Sequence, residues 1–547
     1  MHNKIQHLAD LIHLQMQKFD STEITKAVNV LLENTEVLEI IQNSEFDNGD
    51  SISSEKFQII LSSLNEKTTK RKDNGVYYTS NDVSKYIIIN SMLNKYVGQE
   101  MVFSYDDGIK KMLSLSEEQI TDLIFKMKII DPTCGSGEFV ITSFNIKNEL
   151  CNSTSDEDVL KITKTIFGND IDEISVLICK IRLFFHICEK LEKKASYLKL
   201  AKILCNQFYC VDFVGNHTEI KTKFDLAIGN PPYVEYSKYS DPSLLKNKFG
   251  NIYADVLMNS FDILKKDGVI GYIIPISYSS TPRMSKIRDF INAQTELQFI
   301  LSFADRPDCL FNGVHQKLNI VIAKRGLNQR KIYTSNYQYW YKQERENLFD
   351  SISVIENNHN QLDFIPKIGN LIEQSICNKI FSFNRTNISS FTEESEHCIY
   401  LNMRACFWVK AFTFNPGSKE YKKFSFSKDY KNFVMCVLNS SLFWFFWVVV
   451  SDCWHITTKD LNGFFIPTIT EFCNYDKLAN ELQNKLEETK KYIGSKQTEY
   501  EYKHRLCKNV IDKIDDEISS IYDLTTEELE YVKNFALKYR KGDGSIG

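Results

Sequence analysis

Several patterns that mark common protein classes are missing from this sequence of 547 residues. Its 14 cysteines include no Cys-x-x-Cys pair and its histidines no His-x-x-x-His, which argues against a zinc site or a disulfide framework and for a reducing compartment. The first residues hold no apolar run of the signal-peptide kind. The longest apolar run, residues 442–450, is far shorter than the ~20 residues that span a bilayer. We therefore expect a cytoplasmic protein with no metal and no membrane partner.

The composition is that of a globular protein, because 43% of the residues are hydrophobic and 25% are charged. A net charge of −5 argues mildly against a nucleic-acid partner, but only the local distribution of charge decides binding. Residues 401–440 contain seven lysines and arginines and only two acidic residues. Taken alone, such a cluster is more often a solvated face than a binding surface.

Hydrophobic periodicity divides the chain into four parts. Residues 1–70 have helical spacing and predict an N-terminal helical region. Residues 71–330 alternate apolar strands with helical segments, which predicts an α/β domain whose mostly parallel sheet has helices on both faces. Residues 331–475 are rich in aromatic side chains and poor in helical patterns, whereas residues 476–547 begin with an amphipathic pattern that predicts a helix over 476–502. The strands are expected at residues 128–130, 166–169, 207–211, 224–228, 269–275, 297–303 and 318–323.

A glycine-rich turn follows the first expected strand. It reads Asp131-Pro132-Thr133-Cys134-Gly135-Ser136-Gly137 and opens a helical segment. A turn of this kind at the carboxyl end of a strand is where an open α/β sheet binds a nucleotide-like ligand, because glycines let the ligand approach the backbone. No Lys-Ser or Lys-Thr follows, so the turn is not a P-loop. Taken alone, it could equally be a structural turn.

Two acidic residues follow later strands. Asp170 ends the second strand and can accept both hydroxyls of a ribose, as in dinucleotide-binding folds. The alternative role of a helix N-cap suits Asp172 better, because an apolar helical segment follows it. Asp212 follows the third strand and can accept the amino hydrogen of an adenine ring, with Phe213 against the ring face. Acidic residues after strands are common, so this last pattern is weak on its own.

The most informative stretch follows the fourth strand and reads Asn230-Pro231-Pro232-Tyr233. Two prolines fix φ and remove backbone donors, which leaves a cluster of oxygen acceptors at Asn230 and Pro231. Such acceptors suit an aromatic amino group with two hydrogens to donate, because holding both hydrogens frees the nitrogen lone pair towards an electrophile. Tyr233 can stack on the ring that carries the amine. A rigid loop without chemistry is the alternative.

Taken in chain order, these motifs resemble those of the gamma-class (TaqI-like) N6-adenine DNA methyltransferases. Residues 75–80, 268–275 and 310–316 resemble three further motifs of that family. The resemblance covers residues 75–330 and implies a Rossmann-like, S-adenosylmethionine-dependent methyltransferase domain with a mostly parallel seven-stranded sheet. It further implies that residues 331–475 are an α+β target-recognition domain and residues 476–547 a helical spacer and tail, as in restriction-modification systems.

The resemblance assigns roles to individual residues. Residues in contact with the cofactor would be Tyr78, Thr79, Asp131, Thr133, Gly135, Gly137, Asp170, Ile171, Asp212, Phe213 and Asn230. Catalysis would depend on the Asn230–Tyr233 motif, and the flipped adenine would lie between Tyr233 and Phe311, since enzymes that act on a base take it out of the stack. Because the catalytic motifs end before residue 330, we expect the basic stretch to hold DNA phosphates, with Lys422 and Lys423 as contacts.

Two other functions fit the same motifs. Asn-Pro-Pro-Tyr also serves methyltransferases that act on RNA or on a protein glutamine, although the C-terminal half is longer than such enzymes usually carry. A DNA-binding subunit that has lost catalysis is the second, and the intact Asn230 and Tyr233 argue against it. A cytosine-C5 enzyme would need a Pro-Cys dipeptide, which does not occur. The expected substrate is double-stranded DNA, in a prokaryotic or phage setting. Because no nuclease pattern is convincing, we expect the restriction endonuclease to be a separate protein, or to be lacking altogether.

Overall fold

The computed structural model describes most of the chain. The described residues are 2–19, 21–43, 52–64, 79–98, 101–153, 155–239, 241–245, 247–311, 313–359, 363–382, 386–466, 473–494 and 499–542.

The described N-terminal residues form helices that pack on the rest of the molecule. These helices are α1 (His2–Phe19), α2 (Thr22–Leu31), α3 (Glu36–Asn43) and α4 (Ser54–Leu64). The Ser21 side chain accepts a hydrogen bond from Glu23 N (3.2 Å) and so caps the start of α2. Gln58 on α4 exchanges two hydrogen bonds of 3.0 Å with Arg182 in the following domain.

A mixed sheet of nine strands lies at the centre of the molecule. Its strands are β1 (Ile129–Asp131), β2 (Ile166–Asn169), β3 (Phe208–Tyr209), β4 (Phe224–Gly229), β5 (Leu264–Pro275), β6 (Thr295–Phe303), β7 (Leu318–Arg325), β8 (Lys331–Gln338) and β9 (Val354–Glu356). They lie in the order β3-β2-β1-β4-β5-β7-β6-β8-β9. β7 runs antiparallel to both neighbours and β9 antiparallel to β8, while the other neighbouring pairs are parallel.

Helices cover both faces of this sheet. They are α5 (Asn81–Tyr96), α6 (Tyr105–Leu113), α7 (Glu117–Phe125), α8 (Glu138–Cys151), α9 (Asp156–Thr163), α10 (Glu173–Cys188), α11 (Ser196–Cys205), α12 (Ile252–Ile263), α13 (Ser277–Ser280) and α14 (Ser285–Gln294). Short 3-10 helices lie at His217–Glu219, Tyr236–Lys238, Pro242–Leu244 and Pro282–Met284. Because alternate strand residues face opposite sides, Ile129 packs in the core beneath α5 and α8, and Ile130 in the core beneath α12.

The sheet contains two strands more than the seven that were predicted. Each predicted strand overlaps one of β1–β7, but residues 331–338 form β8 beside β6, and β9 extends the sheet further. Hydropathy does not reveal β8, because several of its buried positions hold polar residues instead of apolar ones. Hydrogen bonds satisfy these polar side chains. Thr334 Oγ1 donates to Ile368 O (2.7 Å), and Ser335 Oγ accepts from Ser302 N (3.1 Å).

The remaining residues form a small antiparallel sheet, further helices and a hairpin. The sheet has the order β11-β10-β12 and consists of β10 (Cys398–Asn402), β11 (Ala411–Phe412) and β12 (Tyr421–Ser425). The helices are α15 (Leu371–Ser382), α16 (Lys428–Asn439), α17 (Ser441–Val450), α18 (Thr458–Gly463), α19 (Cys473–Thr489), α20 (Lys508–Ile521), α21 (Thr526–Asn534) and α22 (Leu537–Lys541). The hairpin pairs β13 (Lys491–Tyr492) with β14 (Tyr500–Glu501), and 3-10 helices lie at Lys342–Asn347, Ile388–Phe391 and His504–Cys507.

The C-terminal half contains helices that were not predicted, and the helix predicted over 476–502 is shorter than expected. The helices α15, α16 and α17 lie where the sequence predicted few helices. For α17 the reason is that it is buried on every side and so lacks the polar face that marks an amphipathic helix. The helix predicted over 476–502 ends at Thr489 instead, and a hairpin follows. Among the described residues no single helix has the length and hydropathy of a membrane span, and only the pair α16 and α17, bent by 63°, reaches them jointly.

Candidate active site

The carboxyl ends of β1, β2 and β4 bring the predicted motifs to one edge of the sheet. β1 lies between β2 and β4, so the turn that follows β1 has a predicted motif on either side. Cys134 N in this turn donates to Asn169 O at the end of β2 (2.7 Å). At the end of β4, a Cβ atom on Gly229 would lie 2.5 Å from Asp131 Oδ1. Glycine at this position therefore lets the Asn230 loop start in direct contact with the glycine turn.

The two glycines of the turn serve different ends. Both have positive φ, +50° at Gly135 and +93° at Gly137. A Cβ on Gly137 would lie 2.5 Å from Cys179 Sγ, so this glycine allows the turn to pack on α10. A Cβ on Gly135 would meet nothing described within 4 Å, so this glycine faces open space. Beside it, Thr133 Oγ1 is buried and has no hydrogen-bond partner among the described residues.

Two carboxyl groups that contact the glycine turn, those of Asp131 and Asp170, have a raised pKa. Burial raises the pKa of Asp131 to about 8, against a hydrogen bond from Thr133 N (3.0 Å). Burial also raises the pKa of Asp170 to about 6, against hydrogen bonds from Asp172 N (3.0 Å) and Gly135 N (2.9 Å). A ligand with hydroxyl or ammonium donors would stabilise both carboxylates, because bonds to the charged form favour it.

Asp172, the alternative to Asp170, has another role. Its carboxylate accepts from Ser175 N (3.1 Å) and Ser175 Oγ (2.6 Å), so it caps the N-terminus of α10. The N-cap interpretation of Asp172 is confirmed.

Two buried residues that the sequence motifs did not assign to the site, Asn169 and Arg182, hold the turn in place. Asn169 Nδ2 donates to Pro132 O (2.9 Å) and Val211 O (3.0 Å), and its Oδ1 accepts from Val211 N (3.0 Å), so one amide joins the loops after β1 and β3. Arg182 donates to Ser136 O (2.5 Å) as well as to Gln58 and so connects the N-terminal helices to the turn. The Phe-Gly-Asn-Asp stretch contained the only signal for Asn169.

The Asn230 side chain is fixed by a residue 151 positions earlier in the chain. Its Nδ2 donates to Thr79 Oγ1 (3.1 Å), and Thr79 is itself 4% exposed. Since Nδ2 is directed at Thr79, the buried carbonyl oxygen Oδ1 is the acceptor of this side chain. Thr79 and Asn230 were predicted to share a site, and the structure places them in contact. Tyr78 lies outside the described residues.

Tyr233 is held at both ends while its ring stays half-exposed. Its hydroxyl donates to Ile273 O on β5 (3.0 Å), and its ring packs edge-on against Tyr253 with centroids 6.4 Å apart. A ring held in this way is a rigid surface for stacking. Pro231 is buried and Pro232 is half-buried, so the loop between Asn230 and Tyr233 is also tightly packed.

The region after β3 departs from the predicted pattern of contacts. Asp212 Oδ1 accepts from Tyr239 Oη (2.6 Å) and Val214 N (3.0 Å). Phe213 is only 3% exposed and packs near the His217 ring. Ile171, directly after Asp170, is 58% exposed. The exposed apolar surface beside Asp170 therefore belongs to Ile171 and not to Phe213.

Phe311 lies in a turn that an arginine connects to the Thr79 segment. Phe311 is 1% exposed. Arg345 donates to Leu310 O (3.3 Å), to Ser80 Oγ (3.0 Å) and to both carboxylate oxygens of Asp82 (2.8 and 3.2 Å). The hydrogen bond to Arg345 lowers the pKa of Asp82 although burial opposes this. Sequence patterns could not reveal Arg345, because it contacts positions more than 260 residues away.

The two lysines predicted to contact DNA lie on β12, and both are exposed. Successive residues of a strand point to opposite faces of the sheet, so Lys422 and Lys423 do not share a surface. Lys422 lines a surface groove together with Arg404 and Lys419, and Lys423 does not.

Comparison with known families matches the region that contains Asp170, Asp212 and the Asn230 loop, but not the glycine turn, Thr79 or Phe311. Residues 164–309 match the Eco57I restriction-modification methylase family. Part of the chain is 25% identical over 229 residues to the type II restriction enzyme and methyltransferase RM.Eco57I of Escherichia coli, covering 33% of this chain and 23% of that protein. Another part-length match, 25% identical over 235 residues, is the putative enzyme RM.MjaORFECS2P of Methanocaldococcus jannaschii, covering 36% and 20%. This region is thus similar to restriction-modification methyltransferases, and the chain spans about a quarter or less of the length of those relatives.

The fold is shared over a greater length than the sequence. The structure of the type IIL restriction-modification enzyme MmeI in complex with DNA superimposes with a TM-score of 0.55 and 12% identity, over 98% of each chain. A likeness at this identity concerns the fold alone. It includes the N-terminal helices, the central sheet and the C-terminal half.

Proposed function

We propose that this protein is a sequence-specific DNA methyltransferase that transfers a methyl group from S-adenosylmethionine to the N6 amino group of adenine in duplex DNA. The observation that carries the proposal is the 3.1 Å hydrogen bond from Asn230 Nδ2 to Thr79 Oγ1. This bond presents Asn230 Oδ1 as an acceptor at the start of a loop whose next two residues are prolines. The loop touches the glycine turn through Gly229 and Asp131, so acceptor and cofactor pocket are adjacent.

The residues around the glycine turn fit the chemical groups of this cofactor. Asp170 is a carboxylate beside open space and suits the two ribose hydroxyls, while exposed Ile171 offers an apolar surface for the adenine ring. Asp131, whose pKa burial raises, and the buried Thr133 hydroxyl are acceptors for the amino-acid end. When bound, S-adenosylmethionine would supply the methyl group from its positively charged sulfur.

The catalytic loop would act on the target nitrogen by accepting its hydrogens. Asn230 Oδ1 and the Pro231 carbonyl oxygen each accept one N–H, which draws the nitrogen lone pair out of conjugation with the ring. As the new carbon–nitrogen bond forms and the carbon–sulfur bond breaks, the nitrogen becomes positive, and the same acceptors stabilise that charge. One of the two hydrogens then leaves as a proton to solvent. Positioning supplies most of the remaining rate.

The adenine would have to leave the duplex to reach this loop. Tyr233 offers a half-exposed ring to one face of the base, held in place by Ile273 and Tyr253. Phe311 is 1% exposed, so its contact with the other face requires Phe311 to move out of the core.

The proposed biological role is DNA modification in a restriction-modification or related defence system. The relatives RM.Eco57I and RM.MjaORFECS2P are named as both restriction enzyme and methyltransferase, and MmeI, of similar fold, is described in complex with DNA. We propose that residues 71–330, together with β8 and β9 of the central sheet, carry the chemistry. The rest of residues 331–475 would recognise the target sequence, and residues 476–547 would act as a spacer. The protein's restriction partner would be a separate endonuclease, or the protein would have none.

The proposal is tested by offering labelled S-adenosylmethionine and the protein three acceptors in parallel: duplex DNA, RNA and protein. Label in duplex DNA as N6-methyladenine, absent with the Asn230→Ala variant, would support it. Label in RNA or in a protein glutamine would replace it with the corresponding alternative. DNA binding without transfer to any acceptor would indicate a recognition subunit. Sequencing of methylated DNA from an expressing cell would then identify the target site.

A further inference from the structure

A cleft lies at the same sheet edge as the catalytic loop, further along the sheet. It consists of two adjoining cavities of approximately 360 and 700 Å³, which share Arg404 and His455. The smaller cavity is lined by segments that are distant in the chain, namely 304–306, 317, 337–339, 404–407 and 453–455. Backbone hydrogen bonds from Ile456 N to Met403 O (2.8 Å) and from Met403 N to Glu420 O (3.2 Å) hold the C-terminal segments together. We call this surface the basic cleft.

The pairing of the strands places the basic cleft within reach of a duplex that occupies the catalytic loop. Gly229 at the end of β4 pairs with Tyr272 on β5, and Pro275 at the end of β5 pairs with Leu318 on β7. Lys317, which precedes Leu318, lines the cleft. With strands about 4.8 Å apart and about 3.3 Å per residue along β5, the cleft begins about 14 Å from the end of β4 and extends to about 22 Å at β8. One bound duplex can therefore span both the cleft and the catalytic loop.

Trp454 stands at the rim of the cleft and is unlike the other tryptophans. It is 42% exposed, whereas three of the others are at most 1% exposed, namely Trp340, Trp444 and Trp447. The remaining one, Trp408, is half-buried against the Arg540 guanidinium at 4.0 Å. Exposure of a large aromatic ring is costly in water, so a ring kept in this position is a candidate for contact with a ligand.

A buried lysine supports one face of the Trp454 ring. Lys317 Nζ lies 3.3 Å from the ring centroid, and Lys317 is 6% exposed. The same Nζ is 3.2 Å from Asp305 Oδ1, and Asp305 is also buried. This charged pair fixes the lysine, and the lysine fixes the ring by a cation–π contact. With one face covered and the residue still 42% exposed, the opposite face of the ring is the one that solvent reaches.

Basic side chains surround this platform. The exposed members are Arg306, Lys419, Lys422, Arg404 and His455. The acidic residues that line the two cavities already have cationic partners, since Asp305 pairs with Lys317 and Glu420 lies 3.3 Å from Arg404. An exposed aromatic ring amid basic side chains is the combination that holds nucleic acid, because the ring stacks on a base while the cations hold phosphates.

We propose that Trp454 is a stacking platform for a nucleobase of the bound DNA, held in place by Lys317 and flanked by phosphate contacts from Arg306 and Arg404. The proposal rests on the proposed function, because it takes DNA as the substrate. It assigns a contact to the DNA that is separate from the flipped adenine at Tyr233. Trp454 therefore acts in DNA binding and in holding the distorted duplex, and not in methyl transfer itself.

Tryptophan fluorescence and DNA affinity test this assignment on the full-length protein with a duplex that contains the methylated site. Stacking on a base quenches indole emission, so DNA should quench the wild type. The Trp454→Phe variant should lose most of that quenching while keeping its affinity within about threefold, because phenylalanine still stacks. Trp454→Ala should weaken DNA binding by about 5- to 100-fold, the typical effect of losing one stacked base. The matched control Trp408→Phe should retain wild-type quenching.

Two results distinguish failure of the stacking assignment from failure of the proposed methyltransferase function. If Trp454→Ala binds and methylates DNA as the wild type does, or if Trp454→Phe keeps the DNA-induced quenching, the stacking assignment is overturned and the methyltransferase proposal stands. If the wild type neither binds nor methylates duplex DNA, the proposed function itself fails. Unchanged affinity of each variant for S-adenosylhomocysteine shows that the fold is intact, and Trp454→Phe provides the test should Trp454→Ala not fold.

Discussion

The carboxyl edge of the central sheet has two halves that are built differently. In the first half, at β1, β2 and β4, the functional residues lie at or directly after the ends of their strands. Backbone amides hold Asp131 and Asp170, and the Thr79 hydroxyl holds Asn230. In the second half, at β6, β7 and β8, the cleft combines segments up to about 150 residues apart. Its exposed side chains are long, and fewer contacts with the backbone fix them.

The difference indicates which tasks need rigidity. Methyl transfer requires positions correct to a fraction of an ångström, and the first half supplies them through short, buried contacts such as those of Asn169 and Asn230. DNA binding tolerates side chains that adjust, since phosphates are held by charge more than by geometry. We therefore expect substitutions in the first half to have large, localised effects and those in the second half smaller effects that depend on salt.

The largest effect is expected at Asn230. Asn230→Ala should reduce methyl transfer by at least about 10²-fold, the usual effect of removing one group that stabilises developing charge. Binding of S-adenosylhomocysteine should change much less than the rate, because Asn230 is one of several expected cofactor contacts and the others remain. Rates with labelled cofactor and calorimetry measure the two quantities separately. A folded variant that keeps more than a few per cent of the activity would contradict the catalytic role of Asn230.

The next effect is expected at Asp170. Asp170→Ala should weaken binding of S-adenosylhomocysteine by about 1.5–3 kcal/mol for each lost charge-assisted hydrogen bond. Asp172→Ala is the matched control, since Asp172 caps α10 and should affect stability more than affinity. Calorimetry decides between them. Unchanged affinity in Asp170→Ala would show that the ribose is held elsewhere.

The raised pKa of Asp170 makes this prediction dependent on pH. Burial raises its pKa to about 6, and ribose hydroxyls favour the carboxylate. The contribution of Asp170 to cofactor affinity should therefore be full above pH 6 and fall as the pH drops below it, and Asp170→Asn should bind weakly without that part of the pH dependence. Without cofactor the same shift destabilises the folded protein as pH rises through 6, so Asp170→Asn should raise the melting temperature at pH 7 and lose this advantage towards pH 4.

The first half of the edge could be predicted from sequence for a physical reason. Parallel strands end at the same edge, so a motif after each strand predicts a common site without knowledge of the packing. This holds for Asp131, Asp170 and Asn230, which the structure brings together. The supporting residues could not be predicted, since the side-chain bonds of Asn169 depend on the distance between two loops, and that distance follows from the fold.

The second half could not be predicted because its neighbours are distant in the chain. Composition marks residues 401–440 as basic, but whether Lys422 and Lys423 share a face depends on β12 being a strand. The support of Trp454 by Lys317 joins positions more than 130 residues apart. β8 escaped prediction as part of the main sheet because hydrogen bonds, and not hydrophobic residues, satisfy its buried side.

Arg345 joins the two halves, and its substitution sharpens the comparison. Arg345→Ala should lower kcat by about 10-fold, because Ser80 and Leu310 lose their common partner and Thr79 and Phe311 lie beside them. Arg345→Lys should rescue little of this, since lysine lacks the planar fork that reaches three partners. Cofactor affinity should change less than kcat. Lys513→Ala removes an exposed ion pair with Glu481 and serves as the control with wild-type kcat. Equal effects of the two alanine variants would show that Arg345 has no positioning role.

The smallest effect is expected at β12, where the structure divides a predicted pair. Replacing Lys422 and Lys423 together should weaken DNA binding for all sequences and reduce its dependence on salt, with a change in slope of about 1 per lost phosphate contact. Since Lys422 lines the basic cleft and Lys423 faces away from it, Lys422→Ala alone should reproduce the double substitution. Lys423→Ala should behave as the wild type, and cofactor affinity should stay constant in all three. Binding measured across a series of salt concentrations separates the two lysines.

If the double variant keeps the wild-type affinity and slope, this strand is a solvated face and the phosphate contacts lie at Arg306 and Arg404. If Lys423→Ala alone lowers the slope, the duplex approaches from the opposite side of the small sheet, and the basic cleft is not its path.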